Sequence, residues 1–314
     1  MRVWSASRCL LALALAQYTL WIICSAPALG AGPDPSLDAE ESVTDEDDGG
    51  ASADIRFERV TFPSDGMQLV GRLWKPPGAG PFPVVVSNHG SGRGSPVNPG
   101  PRHHTRAPAF YLAHGYAFFA PQRRGHYESP GPYFADQLKN YAATHRDKRA
   151  KQLFAIRLHE DDNRDVVAAV RWIREQPFVD PARVVVSGIS FGGVQALLTA
   201  EKGRRLGICS VVAFASGAMS WAANPLLRDR LRHAVQDASV PIFVLQAAND
   251  FSLGPSATLG PLLQAKGPPN RSKVYPAFGT THDDGHAGFY GKAQDTWGPD
   301  VLGFLARTVP TRAR

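Results

Sequence analysis

The run Val184-Val185-Val186-Ser187-Gly188-Ile189-Ser190-Phe191-Gly192-Gly193 is an apolar strand that must turn at once into a helix-forming stretch, Val194 to Glu201. No other feature restricts the fold as much. A strand that feeds a helix through G-x-S-x-G holds its serine on a sharp turn, and glycines at 188 and 192 leave room for the backbone there. A serine hydroxyl is a weak nucleophile, but on such a turn it stands exposed beside the first amides of the helix, which can receive a developing oxyanion. Ser190 is therefore the candidate nucleophile. The five-residue pattern alone also fits a glycine-rich turn in some other doubly wound protein, so its surroundings have to decide.

Those surroundings alternate between β-branched apolar runs and helix-like stretches, the pattern of an α/β fold with a mostly parallel sheet. Ile55 to Thr61 and Gln68 to Trp74, parted by Ser64-Asp65-Gly66, read as an opening hairpin. Core strands are expected at Pro83 to Asn88, Tyr116 to Ala120, Arg183 to Ser187, Ser210 to Ala215, Pro241 to Gln246 and Ser272 to Tyr275. Glu160 to Gln176 places Val166, Val167, Val170 and Ile173 at helical spacing, and Pro177 closes it. The segment from His126 to His159 fits no strand and is expected to form a small helical cap over a pocket.

Three further positions carry chemistry. Pro83 to Asn88 runs into His89-Gly90-Ser91-Gly92, a small-residue loop after a strand, where a main-chain oxyanion donor is expected. The amides of Ser91 and Phe191 are the candidate pair, and His89 is not read as a base. Asp250, at the end of the strand Ile242 to Gln246, is the candidate triad acid, although a solvated loop aspartate has the same appearance. His282-Asp283-Asp284-Gly285-His286 offers two bases, and His286 is preferred because Gly285 and Gly288 make a loop able to carry its ring over Ser190. His282 and His286 also have the i, i+4 spacing of zinc-binding helices, with His103-His104 in reserve. The glycines at 279, 285 and 288 argue against a helix there, and Asp283 replaces the glutamate of H-E-x-x-H, so no metal is expected.

The first thirty residues set Arg2 and Arg8 before an apolar run from Cys9 to Ile23 and then small residues, the order of a secretory signal. The run is shorter than the roughly 20 residues that span a bilayer, which favours cleavage near Gly30 over stable membrane insertion. Residues 31–54 are rich in Pro, Gly, Asp and Glu and read as a disordered acidic linker. The hydrolytic domain would then occupy 55–309. Removing the leader takes Cys9 and Cys24 with it and leaves Cys209 without a disulfide partner. The net charge of +6 comes from scattered Lys and Arg with no long basic run, so no nucleic-acid partner is expected.

The strand followed by His89-Gly90-Ser91-Gly92, the segment Pro121-Gln122-Arg123-Arg124-Gly125-His126, the elbow, Asp250 and Gly285-His286-Ala287-Gly288-Phe289 recur in the order of the α/β-hydrolase superfamily. Together they resemble its dienelactone hydrolase-like family, over most of Phe57 to Leu305, and the stretch Trp297 to Leu305 resembles the final helix of secreted members. Dienelactone hydrolase itself carries a cysteine nucleophile, and Ser190 departs from it. The resemblance implies about eight strands, helices on both faces and a pocket above the strand C-termini. It also implies a Ser190-His286-Asp250 triad that cleaves a small-molecule ester through an acyl-enzyme without a cofactor. An exported peptidase of the oligopeptidase type and a non-catalytic binding protein share the same motifs; no long β-rich stretch of the kind such peptidases carry precedes Ile55.

Overall fold

The computed structural model describes residues 56–92 and 106–311. The expected leader, the acidic linker and His103-His104 lie outside the described residues. Eight strands form one sheet in the order β1-β2-β4-β3-β5-β6-β7-β8. They are β1 Glu58–Ser64, β2 Met67–Trp74, β3 Phe82–Asn88, β4 Ala117–Pro121, β5 Val179–Ile189, β6 Ile208–Phe214, β7 Ile242–Ala247 and β8 Arg271–Tyr275. β1 and β2 pair antiparallel, as do β2 and β4, and every other neighbouring pair is parallel. The chain has the α/β-hydrolase fold.

The helices are α1 Arg106–Ala113, α2 Phe134–Thr144, α3 Lys148–Arg174, α4 Phe191–Ala200, α5 Gly203–Leu206, α6 Pro225–Asp237, α7 Gly254–Ala265, α8 Phe289–Lys292 and α9 Gln294–Thr308. Strand periodicity decides which face they cover, since successive side chains point to opposite sides. Val84, Val86, Val184, Val186, Val211 and Val244 join α3, α4, α6 and α7 in one core; Val85, Val185, Val212, Phe243 and Leu245 join α1, α8 and α9 in the other. The central strands are buried on both faces and so read as continuous Val/Ile/Phe runs.

Several boundaries differ from those the sequence suggests, each for a local reason. The opening hairpin turns on Asp65-Gly66 alone, both at positive φ (44° and 77°), so β1 continues to Ser64 opposite Met67. α4 begins at Phe191 rather than Val194, because the two glycines are helical where the helix presses on the strand ends. The largest difference is in the expected cap. Only α2 is a separate helix there, and Lys148 to His159 is the first part of the 27-residue α3, whose start is capped by the Asp147 carboxylate accepting from Ala150 N at 2.6 Å.

α3 is fixed to the sheet by a buried charge pair. Arg124, just beyond β4, donates through Nε and Nη2 to Asp165 on α3 at 2.9 and 2.6 Å, and its backbone amide donates to the same carboxylate at 2.9 Å. Ser64 at the end of β1 adds a 2.7 Å bond to that carboxylate. Among the described residues no helix is long and apolar enough to cross a membrane. Arg124 Nη2 also donates to the exposed Asp65 at 2.8 Å, so Asp165→Ala leaves the guanidinium one weaker, solvent-facing partner and is expected to lower unfolding free energy by about 3 kcal/mol, measured by urea denaturation.

Candidate active site

Parallel strands deliver their C-terminal ends to one rim of the sheet, and the chain crosses over β3 on its way from β4 to β5, which opens a crevice at that point. Asn88 at the end of β3 is the register partner of Gly188 near the end of β5. The His89-Gly90-Ser91 loop and the Ser190 turn therefore leave the sheet at the same level. Ser190 has φ 56° and ψ −117°, a conformation costly for a residue with a Cβ, and it is 5% exposed. Its amide donates to Phe214 O at 3.0 Å, and its carbonyl accepts from Val194 N and Gly217 N at 3.1 and 3.2 Å. These bonds to β6 and its following turn, and to α4, hold the strained serine.

Gly192 makes the approach possible. A Cβ there would lie 2.5 Å from His89 O and closer still to Asn88 O, and a Cβ on Gly188 would run into the Gly192 carbonyl. Phe191 opens α4, so its amide is one of the first-turn donors with no acceptor inside the helix. Ser91 is half-buried, its carbonyl accepting from Tyr133 Oη at 2.9 Å.

Asp250 follows β7 and is 4% exposed; His286 is 1% exposed. His286 Nδ1 donates to Asp250 Oδ1 at 2.7 Å, which makes Nε2 the basic nitrogen of the ring. The carboxylate also accepts from Phe251 N at 2.7 Å and Gln246 Nε2 at 3.2 Å. His282 turns elsewhere: its Nδ1 donates to Asn249 O at 2.8 Å, and the residue is exposed. The segment carrying the two histidines is helical after all, a π-turn over Asp284–Gly288 leading into α8. Glycine lowers helix propensity, but Gly285 is needed for close approach, since a Cβ would meet Asn249 Oδ1 at 2.5 Å. The two rings bond to different partners, and no group of three or more metal-ligating side chains occurs among the described residues.

Asn249 was not legible as a site residue, yet it ties the two loops together. Its Nδ2 donates to Phe278 O and Thr281 O at 2.8 and 2.7 Å, and its Oδ1 accepts from Phe278 N at 2.9 Å. An asparagine beside the acid gives no pattern by which sequence could single it out. His89 directs both ring nitrogens at neighbouring main chain. Its Nε2 accepts from Arg123 N at 3.2 Å, so Nδ1 carries the proton and donates to Gly90 O at 2.8 Å.

Behind the elbow lies a buried polar layer. The Phe191 ring contacts His159 at 4.4 Å and Phe134 at 4.9 Å between centroids, while Tyr133 meets His126 at 5.0 Å. Tyr141 and Phe154 stack on each other at 4.0 Å between α2 and α3. Burial holds the His159 imidazole down at about 3, with the Arg123 charge adding to the effect. Burial pushes the Asp162 carboxyl up to about 7 against the pull of Arg123.

Residues 65–253, more than half of the chain, match the model of the X-Pro dipeptidyl-peptidase (S15) family. The chain belongs to this family. The matched span holds Ser190 and Asp250 and ends before His286. The quorum-quenching protein AidA of Acinetobacter baumannii is 30% identical over 172 residues, 53% of this chain and 47% of that protein. The chain thus spans about half the length of this curated relative. The Pyrococcus furiosus esterase Pf2001 superposes with TM-score 0.55 at 17% identity, over 82% of this chain and 92% of that one. A putative dienelactone hydrolase from Klebsiella pneumoniae subsp. pneumoniae MGH 78578 gives TM-score 0.54 at 18% identity, over 80% and 98%. The S15 chain described here is a hydrolase of the α/β-hydrolase superfamily.

Two outcomes follow from this geometry. Gly192→Ala is expected to cost roughly 2 kcal/mol or more through overpacking, read by urea denaturation. His159 and Asp162 tilt stability against pH in opposite senses. A histidine with a depressed pKa stabilises above its ordinary value and loses that contribution as pH falls below about 6.5 toward 3. A carboxyl with a raised pKa stabilises at low pH and loses that contribution as pH rises toward 7. Between about pH 4.5 and 7, His159→Gln should therefore shift the stability gain with pH downward by roughly 2 kcal/mol relative to wild type, and Asp162→Asn should shift it upward. Urea titrations at the two pH values measure both.

Proposed function

We propose that this S15-family chain is an exported serine hydrolase that cleaves carboxylic esters through a Ser190-His286-Asp250 triad. The observation that carries the proposal is the buried 2.7 Å bond from His286 Nδ1 to Asp250, made on the same sheet rim as the strained Ser190. In this reading His286 Nε2 takes the Ser190 proton as Oγ attacks the ester carbonyl, and Asp250 stabilises the imidazolium that forms. The amides of Ser91 and Phe191 receive the oxyanion. Collapse returns the proton to the departing alcohol, and a water activated by His286 then releases the acid. Every step uses the chain's own residues and requires no cofactor.

Peptide cleavage is the second reading, favoured by the family to which the chain belongs. Quorum-quenching, the activity in the name of the relative AidA, adds quorum signals to the substrates to assay. The arrangement of Arg2, Arg8, the apolar run and the small residues to Gly30 supports export. A fusion of residues 1–30 to alkaline phosphatase is expected to be active only after transport; activity equal to a leaderless control would sink the export proposal.

The triad is tested with p-nitrophenyl acyl esters and X-Pro-p-nitroanilides side by side. Ser190→Ala and His286→Ala should each lower ester kcat by about 10⁴-fold or more, and Asp250→Ala by about 10³–10⁴-fold. His282→Ala should stay within about threefold of wild type. Loss of turnover in His282→Ala with His286→Ala active would move the base. Faster turnover of X-Pro anilides than of any ester would favour the peptidase, and a folded wild type that neither turns over a substrate nor reacts with a fluorophosphonate would mark a binding protein.

A further inference from the structure

Arg123 is only 1% exposed, an unusual place for a guanidinium. Burial lowers its pKa to about 10, so it stays charged at neutral pH. Its nearest carboxylate oxygen, on Asp162, is 3.8 Å from Nε, too far for a hydrogen bond. The strong bonds of Arg123 go to main chain instead. Nη1 donates to His89 O at 2.9 Å and Nη2 to Gly90 O at 2.7 Å. The guanidinium carbon lies 4.6 Å from the centre of the Phe191 ring. One buried cation thus touches both segments that supply the oxyanion donors.

The geometry of the peptide unit gives these contacts a consequence. Gly90 C=O and Ser91 N–H belong to one planar unit, and in a trans peptide they point in opposite directions. Gly90 O is held from behind by Arg123 and by His89 Nδ1–H at 2.8 Å. Fixing that oxygen fixes the direction of the Ser91 N–H. A cationic donor on the carbonyl also polarises the unit and makes the opposite N–H a stronger donor. The Phe191 ring against the guanidinium face sets the second segment at a constant distance.

We propose that Arg123 is a positioning residue that aims the Ser91 amide at the oxyanion and holds it in register with the Phe191 amide. The inference rests on the reading of Ser190 as nucleophile. An amide aimed at the oxyanion acts on the transition state more than on the bound ester, so Arg123 should govern kcat and leave KM nearly alone. A purely structural arginine would alter stability without that split.

The test measures kcat and KM with a p-nitrophenyl ester, affinity for a trifluoromethyl ketone whose adduct carries an oxyanion, and urea stability, in wild type, Arg123→Met and Arg123→Lys. Arg123→Met is expected to lower kcat by about 10²-fold, the loss typical of one oxyanion donor, with KM within about threefold and ketone affinity falling in step with kcat/KM. Arg123→Lys, with its cation kept but its fork lost, should recover part of the rate. A folded Arg123→Met whose kcat is within threefold of wild type, or whose ketone affinity is unchanged, overturns the proposal. If Arg123→Met does not fold, Arg123→Lys is judged by the same criteria, and wild-type kcat there overturns it equally. Ser190→Ala tested in parallel separates the two ideas, since full ester turnover in that variant would refute the nucleophile itself whatever Arg123 does.

Discussion

The site depends on one close approach, that of the first turn of α4 to the end of β3. Gly192 lies against the carbonyls of Asn88 and His89, and Gly188 against Gly192 itself, at separations that leave no space for a methyl group. With side chains at these positions the helix would stand off from the sheet and the turn at Ser190 would relax. The strain at Ser190 is maintained by three backbone bonds to β6, its following turn and α4, in a helix whose every residue is buried. The local cost is therefore carried by the core of the domain, the general condition under which a strained functional backbone persists.

A second constraint follows from the first. With β3 and β5 ending level, the space beneath their loops is lined by main-chain carbonyls that need donors. Arg123 and His89 meet that need, and the cation in turn requires a negative neighbour. Asp162 is the nearest carboxyl, at 3.8 Å, while burial, with the Arg123 charge adding to it, keeps His159 neutral. Gln195 Nε2 approaches His159 Nδ1 at 3.4 Å and His159 O at 3.2 Å, in keeping with a neutral ring that accepts. A carboxyl pushed up to about 7 and a neutral imidazole held at about 3 thus lie in one buried layer, both displaced first by burial, with the same guanidinium opposing the shift of the carboxyl and adding to that of the imidazole.

Much of this was legible from residue order. The elbow stood out because it joins two periodicities, strand and helix, across one motif, and the core strands because burial on both faces turns them into uninterrupted apolar runs. The N-terminal extension of α3 was not legible, since Lys148 to Gln152 is charged and carries no apolar stripe, and its start is fixed by a single capping aspartate. The burial of Arg123, Arg124, Asp162 and Asp165 was not legible, because sequence shows the sign of a side chain and not its depth. Asn249 escaped notice for a related reason: its partners are backbone groups about thirty residues away, contacts that leave no trace in local pattern.

The histidine segment shows how two valid local rules can yield to a tertiary demand. Glycines at 279, 285 and 288 argue for a loop, and a loop would have let the ring swing. The chain instead forms a π-turn in which Phe289 N bonds back to Asp284 O, one residue beyond the α spacing. The wider turn separates the two histidine rings, so that His282 meets Asn249 O while His286 meets the carboxylate of Asp250. Asp284 braces its start by accepting from the amides of Thr280 and Thr281 at 3.0 and 2.9 Å. A flexible loop would lose conformational freedom each time the imidazole had to meet Asp250. A short helix locked to Asn249 has lost that freedom on folding, and the His286 imidazole is held beside the Asp250 carboxylate by the fold itself.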